Sequence, residues 1–308
     1  MRLGVILILS LTHLGCRNPD AEILSHVAES GNSSGDRKRG YDVDLQYADV
    51  NAKLVQEVGG LPNLRSLVLN DTQIDDASLD GLNRSTRLQE LGLSQTQITD
   101  LGLSKIVHLT SLNNLRLGNT YVTDNGLKLL SELKGLRSLS LTDTDVSDAG
   151  LQHLANLPLR ELSLAGTQVT DSGLAFLSKM SKLERLNLRN TQVSGLGLND
   201  LISLNSLKEL GLGYAPVTDA GCEALARLAA LENLDLAFTD ITNRGLDAVC
   251  RATSLKTLNL RGTEITDAGL PSVRQLRQLS RISLGKTGVT NAGVENLARE
   301  VPELTIER

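Results

Sequence analysis

From Gly40 to the C-terminal end, one pattern returns every 24 residues. A full unit reads Leu88-Gln-Glu-Leu91-Gly-Leu93-Ser-Gln-Thr96-Gln-Ile98-Thr99-Asp100-Leu-Gly102-Leu103-Ser-Lys-Ile106-Val-His-Leu109. Units start at Gly40, Leu64, Leu88, Leu112, Leu136, Leu159, Leu183, Leu207, Leu231, Leu255 and Leu279, which makes eleven. Only the step from Leu136 to Leu159 is one residue short, and the loss falls after Leu157-Pro158. A stub, Leu304-Thr305-Ile306, is placed to add a last strand. A period of this length means stacked supersecondary units, because a single unit cannot close its own core.

The letters of a unit dictate its parts. Leu-x-x-Leu-x-Leu alternates as a short strand, with one set of side chains inward and the other toward solvent. Thr99, Thr123, Ser147, Thr170 and Thr218 stand where a helix N-cap belongs. Each is followed by an acidic residue suited to a helix N-terminus. The spacing of Leu103 and Ile106 then buries one stripe of a short helix. Thr72, Thr96, Thr120, Thr144, Thr167, Thr191, Thr239, Thr263 and Thr287 share one position after the strand. There a hydroxyl can serve backbone groups freed where the chain leaves the sheet; the alternative is an exposed ice- or mineral-binding row.

These units resemble the leucine-rich repeat family. The segment Ile-Thr-Asp-x-Gly-Leu is similar to repeats of the F-box substrate receptors and of ribonuclease inhibitor, with Thr where those carry Cys or Asn. The resemblance implies an α/β fold: a horseshoe solenoid with a parallel β-sheet on its concave face and short helices on its convex face. It also implies a non-enzymatic protein that binds a protein partner on the concave face.

Composition narrows the functional classes. The chain has 2% aromatic residues and no Trp, so leucine rather than large rings must fill the core. A net charge of -5 argues against nucleic acid as a partner, since that surface would be basic. Three cysteines without a paired motif exclude a disulfide scaffold and a cysteine-rich zinc module. His-Glu-x-x-His, a phosphate loop and Cys-x-x-Cys are all missing. Gly211-x-Gly213 reads as two strand positions rather than a dinucleotide turn. His108 and His153 fall on the helical layer, where solvation is expected. The Asp row at Asp75-Asp76 and its equivalents admits calcium, but helix capping explains it more cheaply. No catalytic residue, metal site or cofactor is expected. Cys222 takes the place of a core leucine, with Cys250 near the matching position of the next unit; free buried thiols and a disulfide are both open.

The N-terminus has its own grammar. Met1-Arg2, an apolar run from Leu3 to Leu11 and Leu14-Gly15-Cys16 fit a secretory signal, too short to span a membrane. The ending resembles a bacterial lipoprotein signal with Cys16 as the lipidated residue, although His13 stands where that motif usually has a leucine. The alternative is an ordinary cleaved signal with Cys16 incidental. The expected division is 1–15 signal, 16–39 tether and 40–308 repeat domain. Within the tether, Asp20 is placed to cap a short helix with Ile23, Leu24, Val27 and Ala28 on one face. That helix either belongs to the tether or covers the open end of the repeats. Asn32 to Arg39 has no apolar residue and is expected to be flexible.

One part of the outward-facing surface departs from the repeat. Tyr214 and Phe238 occupy equivalent positions in adjacent units, just past the strand, with Arg185, Arg189, Asp235, Arg261, Arg281 and Lys286 at nearby outward positions. Aromatics beside Arg are the composition of a binding hot spot. The alternative is that Tyr214-Ala215 refills the space of a lost Thr, as at Tyr47-Ala48, while Phe238 shields the sheet edge. The sequence therefore reads as an exported, envelope-located, monomeric binding protein that meets a membrane only through an N-terminal lipid. The competing reading is an intracellular adaptor like an F-box substrate-recognition subunit. Replacing Cys16 by Ser is expected to release the protein from membranes without changing its melting temperature; membrane association unaltered by the substitution contradicts the lipid anchor.

Overall fold

The computed structural model describes residues 19–36 and 38–308, so residues 1–15 and Cys16 lie outside it. Thirteen strands form one sheet in strict chain order. They are β1 (Asn32–Asp36), β2 (Gly40–Asp44), β3 (Leu64–Val68), β4 (Glu90–Gly92), β5 (Asn114–Arg116), β6 (Ser138–Ser140), β7 (Glu161–Ser163), β8 (Arg185–Asn187), β9 (Glu209–Gly211), β10 (Asn233–Asp235), β11 (Thr257–Asn259), β12 (Arg281–Ser283) and β13 (Thr305–Glu307). Each of the eleven units gives one parallel strand, β2 to β12, and the terminal stub gives β13. The middle residue of each short strand, such as Leu91, Leu115 or Leu210, turns into one continuous leucine core, and its two neighbours face outward. β7 keeps its pairing with β6 and β8, so the one-residue deletion before it does not interrupt the sheet.

The Thr row lies inside. Each hydroxyl donates to the carbonyl three residues earlier, from Thr72 to Leu69 at 2.6 Å through Thr287 to Leu284 at 2.7 Å. This satisfies a carbonyl at the point where the strand ends.

A second row joins the units to one another. Asp100 accepts the Thr123 backbone N–H on Oδ1 at 2.9 Å and the Thr123 hydroxyl on Oδ2 at 2.7 Å. The same pair of bonds runs from Asp76 to Thr99, Asp124 to Ser147, Asp148 to Thr170, Asp219 to Thr242 and Asp267 to Thr290. The Thr99 hydroxyl, having donated to Asp76, still accepts the Leu101 N–H and caps its own helix, Asp100–Ile106. One hydroxyl thus closes a helix and couples two units. The expected role of these Asp residues at their own helix N-termini is therefore only part of what they do. The glycine of Asp-x-Gly belongs to the same joint. A Cβ on Gly102, Gly126, Gly150, Gly173 or Gly245 would overlap the Asp oxygen of the unit before. In the Leu64 unit that glycine is Ser78, and there the preceding unit carries Ala52 in place of Asp.

Besides this first boundary, the joint is missing at one more place. Gly195 replaces the Asp of the Leu183 unit, with φ of +100°. The next unit's Thr218 makes no side-chain cap bond, and its N–H reaches the Ser194 carbonyl at 3.3 Å instead. The two backbones approach until a Cβ on Gly221 would lie 2.7 Å from Gly195 Cα.

Upstream of Gly40 the chain is ordered against the first units. α1 (Pro19–Ser30) buries Val27 and packs on β1 and on α2 (Ala52–Gly59), which covers the open end of the core. Asp20 does not cap α1. It sits inside the helix, 3% exposed, and accepts the Tyr41 hydroxyl at 2.9 Å. Residues 32–36 are not flexible, because backbone pairing compensates for their polar side chains; β1 runs antiparallel to β2 over five residue pairs. His26 bonds Glu57 of α2 at 3.0 Å.

The joint gives a double-mutant test. Asp100→Ala removes two hydrogen bonds and is expected to cost about 1–3 kcal/mol in urea unfolding. Gly126→Ala should also destabilise, because its Cβ overlaps the same carboxylate. With Asp100 already gone only the end of the Leu103 side chain, 2.8 Å from the new methyl group, has to shift, so the double variant should lose less than the sum. Strict additivity would disprove the joint.

Candidate binding site

The outward side chains of the strands line a depression of about 460 Å³ that extends from β6 to β11. Polar side chains alternate with core leucines along it and are partly pre-bonded, although most of the surface it exposes is apolar. Ser163 accepts from Asn187 at 3.3 Å, Asn259 donates to Asp235 at 2.8 Å, and Thr257 donates to Asn233 at 2.7 Å. Arg185 of β8 pairs with Glu161 of β7 and is in register with Glu209 of β9.

Beside this depression the residue leaving each strand adopts a left-handed conformation in all eleven units, with φ between +52° and +71°. Most units fill the position with residues that tolerate it, such as Asp71, Asn119, Gly166, Asn190 and Gly262. Tyr214 and Phe238 are bulky exceptions in neighbouring units, and Tyr47 is another in the first. A non-glycine side chain there costs roughly 1–2 kcal/mol.

The two rings stack, with centroids 4.6 Å apart and planes 18° from parallel. The Arg189 guanidinium carbon lies 5.5 Å from the Tyr214 centroid, and Lys286 Nζ lies 5.5 Å from that of Phe238. Four units thus contribute one stacked group of cation, ring, ring and cation. Tyr214 remains 52% exposed, whereas Phe238 is half-buried against Gly262, where a Cβ would overlap its ring.

Arg189 also forms an ion pair with Asp235, two units away. The intervening unit makes this reach feasible. A Cβ on Gly213 would sit 3.0 Å from Asp235 Oδ2 and 3.1 Å from Arg189 Nη1. Gly211 lies under the Arg189 stem in the same way. The Gly211-x-Gly213 pair is thus a floor for the Arg189 side chain, a role invisible when it is read only as two strand positions.

The structure brings together Arg189, Tyr214, Asp235, Phe238 and Lys286. Arg261 adjoins them through its carbonyl, which accepts the Phe238 N–H at 2.7 Å, and its side chain is exposed. Arg185 and Arg281 stand at the other end of their strands, and Arg281 lies 3.6 Å from Glu307. Cys222 and Cys250 are both fully buried and free. Burial pushes each thiol up to about 12, with Asp219 and Glu223 adding to the effect at Cys222 and Asp247 at Cys250. His108 is not solvated as expected; it is half-buried, and its Nε2 is buried with no hydrogen-bond partner among the described residues. Among the described residues no three His, Cys, Asp or Glu side chains are grouped to hold a metal.

The family described as Leucine Rich repeat matches residues 84–107, 136–155, 155–178, 203–226, 230–250 and 251–271. The chain is a leucine-rich repeat protein. Its solved neighbours show the same solenoid at low identity. An internalin, inlF, from Listeria monocytogenes str. 4b F2365 is 20% identical over 94% of this chain and 94% of its own, with a TM-score of 0.59. The mouse RP105/MD-1 complex aligns over 80% of this chain and 47% of the other, at 20% identity and a TM-score of 0.59. Internalin C2 from the same Listeria strain covers 77% of this leucine-rich repeat chain and 92% of its own, at 22% identity and a TM-score of 0.52. No curated protein matches the sequence at significance.

Because their thiols stay protonated, Cys222 and Cys250 should resist alkylation by iodoacetamide at pH 8 in the folded protein and react once it is unfolded. The ordinary thiol pKa of the unfolded chain lies near 8.5, below the folded value. Their contribution to stability is therefore fully present below that pH and is lost as the pH rises toward 12. Mass spectrometry of trapped peptides checks the first statement, and alkaline unfolding the second.

Proposed function

We propose that this protein is a non-enzymatic scaffold that binds a protein partner on its concave face, centred on the Tyr214–Phe238 stack. Leucine-rich repeat solenoids typically serve as protein–protein interaction scaffolds, and their curvature offers an extended binding surface. The observation that carries the assignment is the adjacent pair of aromatic rings held at left-handed φ where six of the other nine units use Asp, Asn or Gly. A backbone outlier of this kind costs stability and points to function. The rings are fixed on a sheet, so burying them against a partner requires little further ordering.

The same reading makes the protein exported and anchored through Cys16, supported by the apolar run from Leu3 to Leu11 and the Leu14-Gly15-Cys16 ending. No helix among the described residues is long and apolar enough to cross a membrane. α1 begins three positions after Cys16, so a lipid there would hold the capped end of the solenoid close to the bilayer. Detergent dependence of release during cell fractionation tests the anchor independently of the binding site.

Replacing Tyr214 and Phe238 together by Asn, the residue used at the same position as Asn119 and Asn190, separates binding from packing. Relief of the left-handed strain opposes loss of the ring stack, itself worth about 0.5–1.5 kcal/mol per pair. Urea stability should therefore change by no more than about 1–2 kcal/mol, while retention of the partner in pull-downs falls by the few kcal/mol typical of hot spots. A variant that unfolds much earlier yet retains the partner when folded would make the pair a packing cluster.

A further inference from the structure

We infer that the partner segment received at this rim is acidic, with carboxylates flanking an apolar side chain. The inference rests on the binding role proposed for the Tyr214–Phe238 stack and adds the chemistry of what it binds.

Three observations converge on it. The first is charge accounting. At the outward positions of the strands and just past them, cations are compensated by carboxylates of nearby units: Arg116 by Glu90 at 2.5 Å, Arg185 by Glu161, Arg189 by Asp235, and Arg281 by Glu307. Arg261 and Lys286 are the departures, exposed and without an ion pair among the described residues. They leave an uncompensated positive rim on a chain whose net charge is -5.

The second is ring electrostatics. An aromatic ring is negative on its faces and positive at its edge. Here the faces are occupied by the stack itself, by Arg189 over Tyr214 and by Lys286 over Phe238. With the faces engaged, the edges are what the rings have left to offer a partner, and edges favour electron-rich groups. Tyr214, half exposed, also offers its hydroxyl as a donor, which a carboxylate can accept.

The third is preorganisation. Asp235 and the Gly211–Gly213 floor fix Arg189 before any partner arrives. Asp235 neutralises Arg189 while leaving Arg261 and Lys286 free for a partner's charge. A basic segment would meet those two cations unscreened, and a purely apolar one would have to cover them. Complementary charge at an interface rim acts chiefly on encounter rate and specificity.

A phage-displayed library of random dodecapeptides, selected on the folded full-length protein, tests the inference. The enriched peptides should carry Asp or Glu in excess beside an aliphatic or aromatic residue. Synthesised with a Trp, they can be followed by fluorescence without background, because the chain contains no Trp. Their affinity should drop about tenfold or more in Arg261→Glu/Lys286→Glu, and should weaken as salt is raised. It should be lost in Tyr214→Asn/Phe238→Asn, with the melting curve of each variant confirming a folded protein.

Neutral or basic peptides lost in Tyr214→Asn/Phe238→Asn would overturn the acidic assignment and leave the binding face in place. Acidic peptides indifferent to that double variant would remove the binding face, and the assignment with it. An empty selection accompanied by self-association that the double variant abolishes would replace the acidic segment with a second copy of this chain. An empty selection without self-association would also overturn the claim that a short acidic segment suffices.

Discussion

Everything in this molecule depends on a side chain crossing from one unit to the next. A leucine core alone would hold neighbouring units together without setting how far each is rotated or shifted. The carboxylate of Asp100 fixes that relation, because two oxygens meet two donors of a single residue, Thr123, and the glycine at 126 leaves the space the carboxylate fills. Repeated along the array, this geometry keeps the strands in register. It allows a one-residue deletion to be absorbed between Leu157 and Leu159 while the sheet continues through β7.

That rigidity is what gives the concave face its meaning. Side chains that project from consecutive strands stand at fixed separations, so residues far apart in sequence behave as one surface. Arg189, Tyr214, Phe238 and Lys286 come from four units yet form a single stack. The irregularities gather in the same stretch. The Leu183 unit lacks its Asp, the Leu207 unit replaces the buried Thr with Ala215 followed by Pro216, and the rings follow. Two ordinary stabilising contacts are absent where the surface is most unusual, the pattern expected where function takes precedence over local stability.

The sequence displayed the architecture almost completely because its information there is periodic. Leucine spacing, cap residues and turn positions repeat eleven times, so an accidental match in one unit is corrected by the others. What it concealed lies between units. Asp100 next to Thr99 looks like a helix N-terminal residue, and only the fold shows that its oxygens reach Thr123. Gly211 and Gly213 carry no side chain to signal that Arg189 passes over them. At the N-terminus, Asn32 to Asp36 lacks every apolar cue for a strand, and its pairing with β2 comes from backbone groups alone. The candidate site was half legible: the aromatic pair and its cations could be aligned by unit, but the left-handed backbone and the division between paired and unpaired cations could not.

The joint also determines which units are interchangeable. A unit with Thr-Asp-x-Gly presents the same donors to the unit before it and the same acceptors to the unit after it. Any such unit can therefore be duplicated or lost as a block without creating a new kind of contact. Two places do not share this freedom. Ala52 and Ser78 form a boundary that suits only the first pair. Gly195 and Gly221 form another, where a transplanted unit bearing Asp would bring a carboxylate against two closely packed backbones. The length of the array can vary between these two seams, whereas the units from Leu183 to Leu279, which together carry the aromatic stack, must be kept in their present order.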